Sequence, residues 1–298
     1  MKIDPVYLKS GEICKLPRIA EGREGIIYRA KPGVLFKIYH NYTDHVYVYT
    51  PPVYDEEGVN IASYKTKGKI IYQPNLLRYM NAEGMRLSRE EALYKAIERQ
   101  KFIHLTFLPQ NIIYVDGRIK GCVLREYAHA VKIYKMESLP LSMRLKILQD
   151  LLLKVRELVD HNIYHVDLAQ RPTKEYPNTN VLLQFPLIPQ IVDLDGHSTI
   201  YTEYFSDSAL KETEKNVALL FMELLTRMNL EEYLNQMDVS ELSPLFLEKT
   251  MIEEIFLTSK KQIFPEMIED FLHQKLTLEQ MDWYLQKLSK KKNYGRVR

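Results

Sequence analysis

Two cysteines among 298 residues, Cys14 and Cys122, exclude a disulfide framework and a four-cysteine zinc site. A reducing compartment is the matching expectation. Long hydrophobic runs are also missing. The longest, VALLFMELL at 217–225, contains Glu223 and falls far short of the roughly 20 apolar residues that span a bilayer. The opening stretch MKIDPVYLKSGEICKLP has no apolar block of the signal-peptide type, so a cytoplasmic protein without a membrane span is expected. Charge of one sign is scarce in excess: the formal net charge is +2, which argues against nucleic acid as a partner. The basic tail KLSKKKNYGRVR is read as a solvated terminus. What is present in quantity is ordinary for a globular chain, with 46% apolar and 27% charged residues.

The order of patterns is more informative than the totals. β-branched and aromatic clusters at Ile19, Ile26–Tyr28 and Val34–Ile38, punctuated by Gly22, Gly25 and Pro32–Gly33, predict a three-strand meander. Within residues 40–87, YTPPVYDEEGVN reads as loop, KTKGKIIYQP as a short strand and PNLLRYMNAEG as a short helix. Ser88 and Glu91 form a capping-box pair that starts a helix over 89–104, with Leu93, Ala96, Ile97 and Ile103 on its apolar face. Asp116–Gly117 between two apolar stretches predicts a hairpin with a type I′ turn. A helix over 142–161 carries Met143, Leu145, Ile147, Leu148, Leu151, Leu152, Val155, Leu158 and Val159 on one broad face. Two short strands follow, NVLLQF and PQIVDLDG, then helices only, the one over 211–228 apolar all round. The expected fold class is therefore α+β, with an antiparallel β-rich N-lobe over 1–127 and a mostly helical C-lobe over 128–298.

The stretch HVDLAQRPTKEYPNTNVLL carries the chemistry. Its histidine, aspartate and leucine, followed by an asparagine that opens an apolar strand, resemble the catalytic loop of the protein-kinase-like fold. Three other stretches share the resemblance: the glycine turn IAEGREGIIYRA, the strand VLFKIYH and the segment IVDLDGHS. A two-lobed fold that transfers the γ-phosphate of ATP, with Mg²⁺, to a hydroxyl of a protein or small molecule is what the resemblance implies. Gly22 and Gly25 match the second and third glycines over the phosphates, with Ala20 in place of the first; Ile27, on the next strand, would also line the nucleotide. Lys37, twelve residues past Gly25, matches the lysine that binds the α- and β-phosphates. Glu98, preferred to Glu91, would hold that lysine. Leu124 is the expected gatekeeper, and the backbone from Arg125 through Glu126 to Ala128 would meet adenine.

Asp167 would align the attacking hydroxyl and accept its proton. Asn180 and Asp193 would hold the metal; Asn180, preferred to its nearest rival Asn178 because it abuts the strand, lies thirteen residues after Asp167 where the family has five, so eight extra residues within 169–179 form an insertion. Exposed loops lengthen cheaply, at about 0.6 kcal/mol per doubling, and Pro172 and Pro177 suit such a loop. His161 and His165 have no nearby third ligand in the sequence to suggest zinc. Val166 replaces the arginine that reads a phosphorylated activation segment, Asp195 replaces a glycine, and the segment after Gly196 is short. These departures motivate the alternative of a pseudokinase, a nucleotide-binding or interaction module without turnover; AMP transfer is a further chemistry the scaffold supports.

Overall fold

The computed structural model describes residues 5–22, 25–40, 78–80, 86–169, 180–195, 199–226, 263–273 and 275–289. The expected loop at 49–60, the expected strand at 65–74, the expected insertion after Ala169 and the basic tail past 289 lie outside the described residues. The chain divides into two compact units that interleave along the sequence. One comprises Met1–Ala130, Glu157–Asp167 and Ile191–Leu210; the other comprises Val131–Arg156, Leu168–Gln190 and Lys211–Arg298. The first therefore takes the whole of residues 1–127 and adds the stretches that carry Asp167 and Asp193.

The first unit is built on strands β1 (Val6–Leu8), β2 (Arg18–Glu21), β3 (Gly25–Lys31) and β4 (Val34–Tyr39), with a one-turn helix α1 (Ser10–Ile13) after β1. β5 (Arg78–Met80) and β6 (Arg86–Ser88) form a separate antiparallel pair. That pair corrects the short helix expected over 74–84, where tertiary pairing overrides local pattern. Helix α2 (Arg89–Arg99) then gives way to a 3₁₀ turn at Gln100–Phe102, so the α-helical part stops five residues short of the expected end at 104. β7 (Asn111–Val115) and β8 (Arg118–Arg125) close the hairpin. Asp116 and Gly117, at φ 50° and 77°, both take the left-handed conformation that a type I′ turn requires. The six-stranded sheet runs β1-β7-β8-β4-β3-β2 and is antiparallel except for the parallel β1–β7 contact.

Alternation along β4 gives the sheet two different faces. Val34, Phe36 and Ile38 pack against Ile13, Ile113, Val115 and Val123. Tyr39 faces the other way, into a cluster with Leu93 of α2, Ile112, Ile119 and Cys122. Ala92, Leu93 and Ala96 form the buried stripe of α2. The first unit also holds β10 (Ile163–His165), paired antiparallel with β13 (Thr199–Tyr201).

The second unit holds most of helix α3 (Leu141–Asp160), most of α4 (Asp207–Thr226), and α5 (Ile263–Leu272) and α6 (Leu278–Ser289). A small sheet orders β12 (Ile188–Ile191), β11 (Val181–Gln184) and β9 (Val131–Lys132). Leu220, Phe221, Met222, Leu224 and Leu225 of α4 are all buried, as its apolar sequence requires. On α3 the expected apolar face is buried except at Val159, which is half-buried, and Met143, which is exposed; Arg144 is buried beside Met143 instead. Arg144 donates to the carbonyls of Leu224 and Leu225, at 2.7 and 3.0 Å, and so satisfies the last turn of α4. Among the described residues no helix is long and apolar enough to cross a membrane.

Close backbone approach explains Gly121. A Cβ there would fall within the Lys37 carbonyl on β4, which is backbone and cannot swing aside. Gly121→Ala is expected to cost about 1–3 kcal/mol of stability in a urea titration, as overpacking of a tight site does. Gly11→Ala, where nothing lies within 4 Å of the added atom, is expected to stay within about 0.5 kcal/mol of the parent.

Candidate active site

The β-sheet register collects most of the expected nucleotide residues on one face. Lys37 pairs with Ile27 on one side and Cys122 on the other; Gly25 pairs with Tyr39, and Leu35 with Leu124. Residues directly opposite each other in a sheet share a face, so Ile27, Lys37, Tyr39, Cys122 and Leu124 project from the same side. Gly25 is required on packing grounds alone, because a Cβ would meet the Ile38 carbonyl. Gly22 tightens the β2–β3 turn by donating its N–H to the Gly25 carbonyl at 2.9 Å.

Lys37 is held by two aspartates. Its Nζ lies 2.6 Å from Asp193 Oδ1 and 2.9–3.0 Å from both oxygens of Asp195. The side chains are 9% exposed at Lys37, 25% at Asp193 and 0% at Asp195. Tyr39 donates its hydroxyl to Asp195 Oδ2 at 2.7 Å, so the buried carboxylate is satisfied on two sides. The same hydroxyl lies 3.4 Å from Cys122 Sγ. Two carboxylates around one ammonium leave a local excess of one negative charge, a setting that favours a further cation over a bare phosphate.

Glu98 does not fill its expected role. It is exposed on α2, and the carboxylates described at Lys37 are Asp193 and Asp195. Helical spacing gives the reason: the buried stripe is Ala92, Leu93 and Ala96, and Glu98 falls on the opposite side of the helix. Asp195 and Tyr39 are the residues that sequence reasoning missed. Tyr39 stood two places from Lys37 in a strand, which put it on the same face. Asp195 stood two places from Asp193, where it was read only as a lost glycine.

The turn bearing the two aspartates is pinned at three consecutive carbonyls. His165 Nε2 donates to Val192 O at 3.0 Å, Thr199 Oγ1 to Asp193 O at 3.2 Å, and Tyr201 OH to Leu194 O at 2.5 Å. Asp193 itself adopts φ 64°, a left-handed conformation that aspartate tolerates better than most residues. His165 also ties this turn to the catalytic-loop stretch, because its Nδ1 accepts the Asp167 N–H at 3.3 Å. That pattern fixes the neutral tautomer with the proton on Nε2. Arg99 of α2 braces the end of the β10–β13 pair, donating to Asn162 O at 3.0 Å and to Thr202 O.

Asp167 is half-buried in the first unit. Asn180 is half-buried immediately before β11 and belongs to the second unit. Among the described residues no group of three or more histidine, cysteine, aspartate or glutamate side chains is arranged to hold a metal ion. Magnesium does not need one: it is commonly bound through one or two carboxylates, waters and substrate phosphates. The part-exposed Asp193 carboxylate suits that mode.

Glu126 anchors the expected hinge. Its carboxylate accepts from Arg29 Nε at 2.8 Å and from the Gly33 N–H at 3.1 Å, and its own N–H donates to Gly33 O at 3.0 Å. The Arg29 bonds, helped by Gly33, hold its carboxyl below the usual glutamate range. The amide expected to meet adenine at this position is thus already bonded to the β3–β4 turn. Ala128 is exposed.

No family model and no curated protein sequence matches the chain. Among solved structures it is similar to the apo GRMZM2G135359 pseudokinase, at a TM-score of 0.53 and 10% identity, covering 97% of this chain and 95% of that one. At that identity the likeness shows the fold, which is protein-kinase-like: β-rich in its N-terminal part and helical in its C-terminal part.

Burial pushes the His165 imidazole below its ordinary 6.5, against smaller opposing contributions from the Val192 carbonyl and the two aspartates. The unfolded chain takes up this proton near 6.5 and the folded chain resists it. Stability is therefore fully present above 6.5 and declines as the pH falls from there toward the lower folded value. The melting temperature of the wild type is expected to fall as the pH drops below about 6.5. His165→Gln is expected to flatten that part of the profile.

Proposed function

We propose that this chain is an ATP- and magnesium-dependent phosphotransferase that moves the γ-phosphate to a hydroxyl of a protein or small molecule. One observation carries the reading. Lys37 and Asp193, 156 residues apart in sequence, meet at 2.6 Å, and His165 ties the Asp193 turn to the Asp167 backbone within the same compact unit. Catalysis of phosphoryl transfer is mainly positioning and charge stabilisation, so this is the kind of constellation it needs.

In this reading Lys37 binds the α- and β-phosphate oxygens. Gly22 and Gly25 themselves put no side chain toward the phosphates, and Ile27 and Leu124 flank the base. Ala128 lies at the adenine edge, while Glu126 fixes the hinge to the β3–β4 turn. Asp193 and Asn180 would hold magnesium, which when bound would supply positive charge against the phosphate oxygens. Asp167 aligns the acceptor hydroxyl and takes its proton. The new bond joins the acceptor oxygen to the γ-phosphorus, the bond from that phosphorus to the β,γ-bridging oxygen breaks, and ADP leaves.

A second reading, a pseudokinase that binds nucleotide without turnover, is favoured by a different observation. The Lys37 ammonium is engaged by the buried Asp195 as well, with Glu98 exposed, and the similar solved structure is itself described as a pseudokinase.

A radioactive γ-phosphate assay with ATP, magnesium and a mixed acceptor pool separates the two. Under the leading reading, label appears in product, and Asp167→Asn lowers kcat by about 100-fold or more with the ATP KM changed only a few-fold. Asp193→Asn is expected to reduce turnover by about 100- to 1,000-fold. Thermal stabilisation by ATP and magnesium with no labelled product would instead favour the pseudokinase.

A further inference from the structure

We propose that Asp195, itself held by Tyr39, is the residue that positions Lys37 for nucleotide, in place of a carboxylate from helix α2. The proposal rests on the phosphotransferase reading for its consequence, but its geometry stands independently of that reading.

The two aspartates at Lys37 are not equivalent. Asp195 is completely buried and places both oxygens within 3.0 Å of the ammonium, whereas Asp193 is a quarter exposed and reaches it through one. A fully buried carboxylate that lost its cation would be an uncompensated charge in a low-dielectric site, which is strongly unfavourable. Asp195 therefore has to keep Lys37. Asp193 faces partly outward and can exchange the ammonium for another cation without stranding a buried charge.

Tyr39 makes the clamp internal to the strand. It follows Lys37 by two residues on β4, shares its sheet face, and donates to the Asp195 oxygen at 2.7 Å. Its ring lies 5.8 Å from the Lys37 Nζ. The Tyr201 hydroxyl fixes Leu194 O, one residue before Asp195, so the carboxylate is positioned from both directions. Lysine, tyrosine and aspartate thus come from β4 and the segment after β12. A shift of α2 would not release Lys37 from this clamp, and Glu98 would not be needed to form it.

The test compares the wild type with Asp195→Asn, Tyr39→Phe and Glu98→Gln, each checked for folding by its melting curve. Trace labelling with isotope-coded acetic anhydride reads the accessibility of the Lys37 amine, with Lys146, whose side chain is 75% exposed, as the internal standard. Fluorescent ATP analogue binding in magnesium is measured in parallel. Asp195→Asn is expected to raise Lys37 labelling about tenfold relative to Lys146 and to weaken analogue binding by a similar factor, as loss of a charged hydrogen bond would. Tyr39→Phe should change labelling in the same direction by a smaller factor, and it decides the matter if Asp195→Asn fails to fold. Glu98→Gln should leave Lys37 labelling unchanged.

Unchanged labelling in folded Asp195→Asn, or an equal rise in Glu98→Gln, would overturn the proposal. A wild type that binds no nucleotide would end the phosphotransferase reading, while the labelling ratios would still decide the role of Asp195.

Discussion

An ammonium group on the inner face of a β-sheet cannot stay there unpaired. Lys37 is nearly buried, and removing a charge from water costs several kcal/mol unless a counter-charge and hydrogen bonds replace the solvent. Asp193 and Asp195 supply both. The surrounding architecture follows from keeping those three groups in register. Gly121 lets β8 come close enough to pair with β4 at Lys37. His165, Thr199 and Tyr201 hold three successive carbonyls of the turn that carries the acids. Fold and candidate chemistry therefore share one constraint, which is the neutralisation of a buried cation.

Much of this scaffold was legible in the residues. Asp116–Gly117 announced its turn because only a few residue types tolerate two left-handed conformations in succession. The apolar run of α4 announced a buried helix because water-facing positions were missing from it. Alternation along β4 was also legible, with Lys37 on the face opposite Phe36 and Ile38.

What was illegible is equally physical. Periodicity reports which face a side chain occupies, not which distant residue it meets. Glu98 had the right spacing before Pro109 but the wrong helical phase relative to Ala92, Leu93 and Ala96. Asp195 looked like a departure from a motif because a motif comparison registers the glycine that is gone, not the carboxylate that has arrived. Tyr39 looked like one of many tyrosines until its hydroxyl was seen on Asp195. Arg144 sat between Met143 and Leu145, and its bonds to the Leu139 carbonyl and to the carbonyls at the end of α4 account for its burial. The β5–β6 pair arises from pairing that the local pattern of 74–84 did not encode.

In the proposed reading the two aspartates divide the work between permanence and exchange: Asp195 would keep the lysine, and the part-exposed Asp193 would turn to a cation that arrives with phosphate. The measurement that tests this account most directly is a crystal structure of the chain with a non-hydrolysable ATP analogue and magnesium. The account predicts Lys37 Nζ against the α- and β-phosphate oxygens while still bonded to Asp195, with the Asp193 carboxylate turned to the metal. Nucleotide bound elsewhere, or Lys37 detached from Asp195 in the complex, would contradict it.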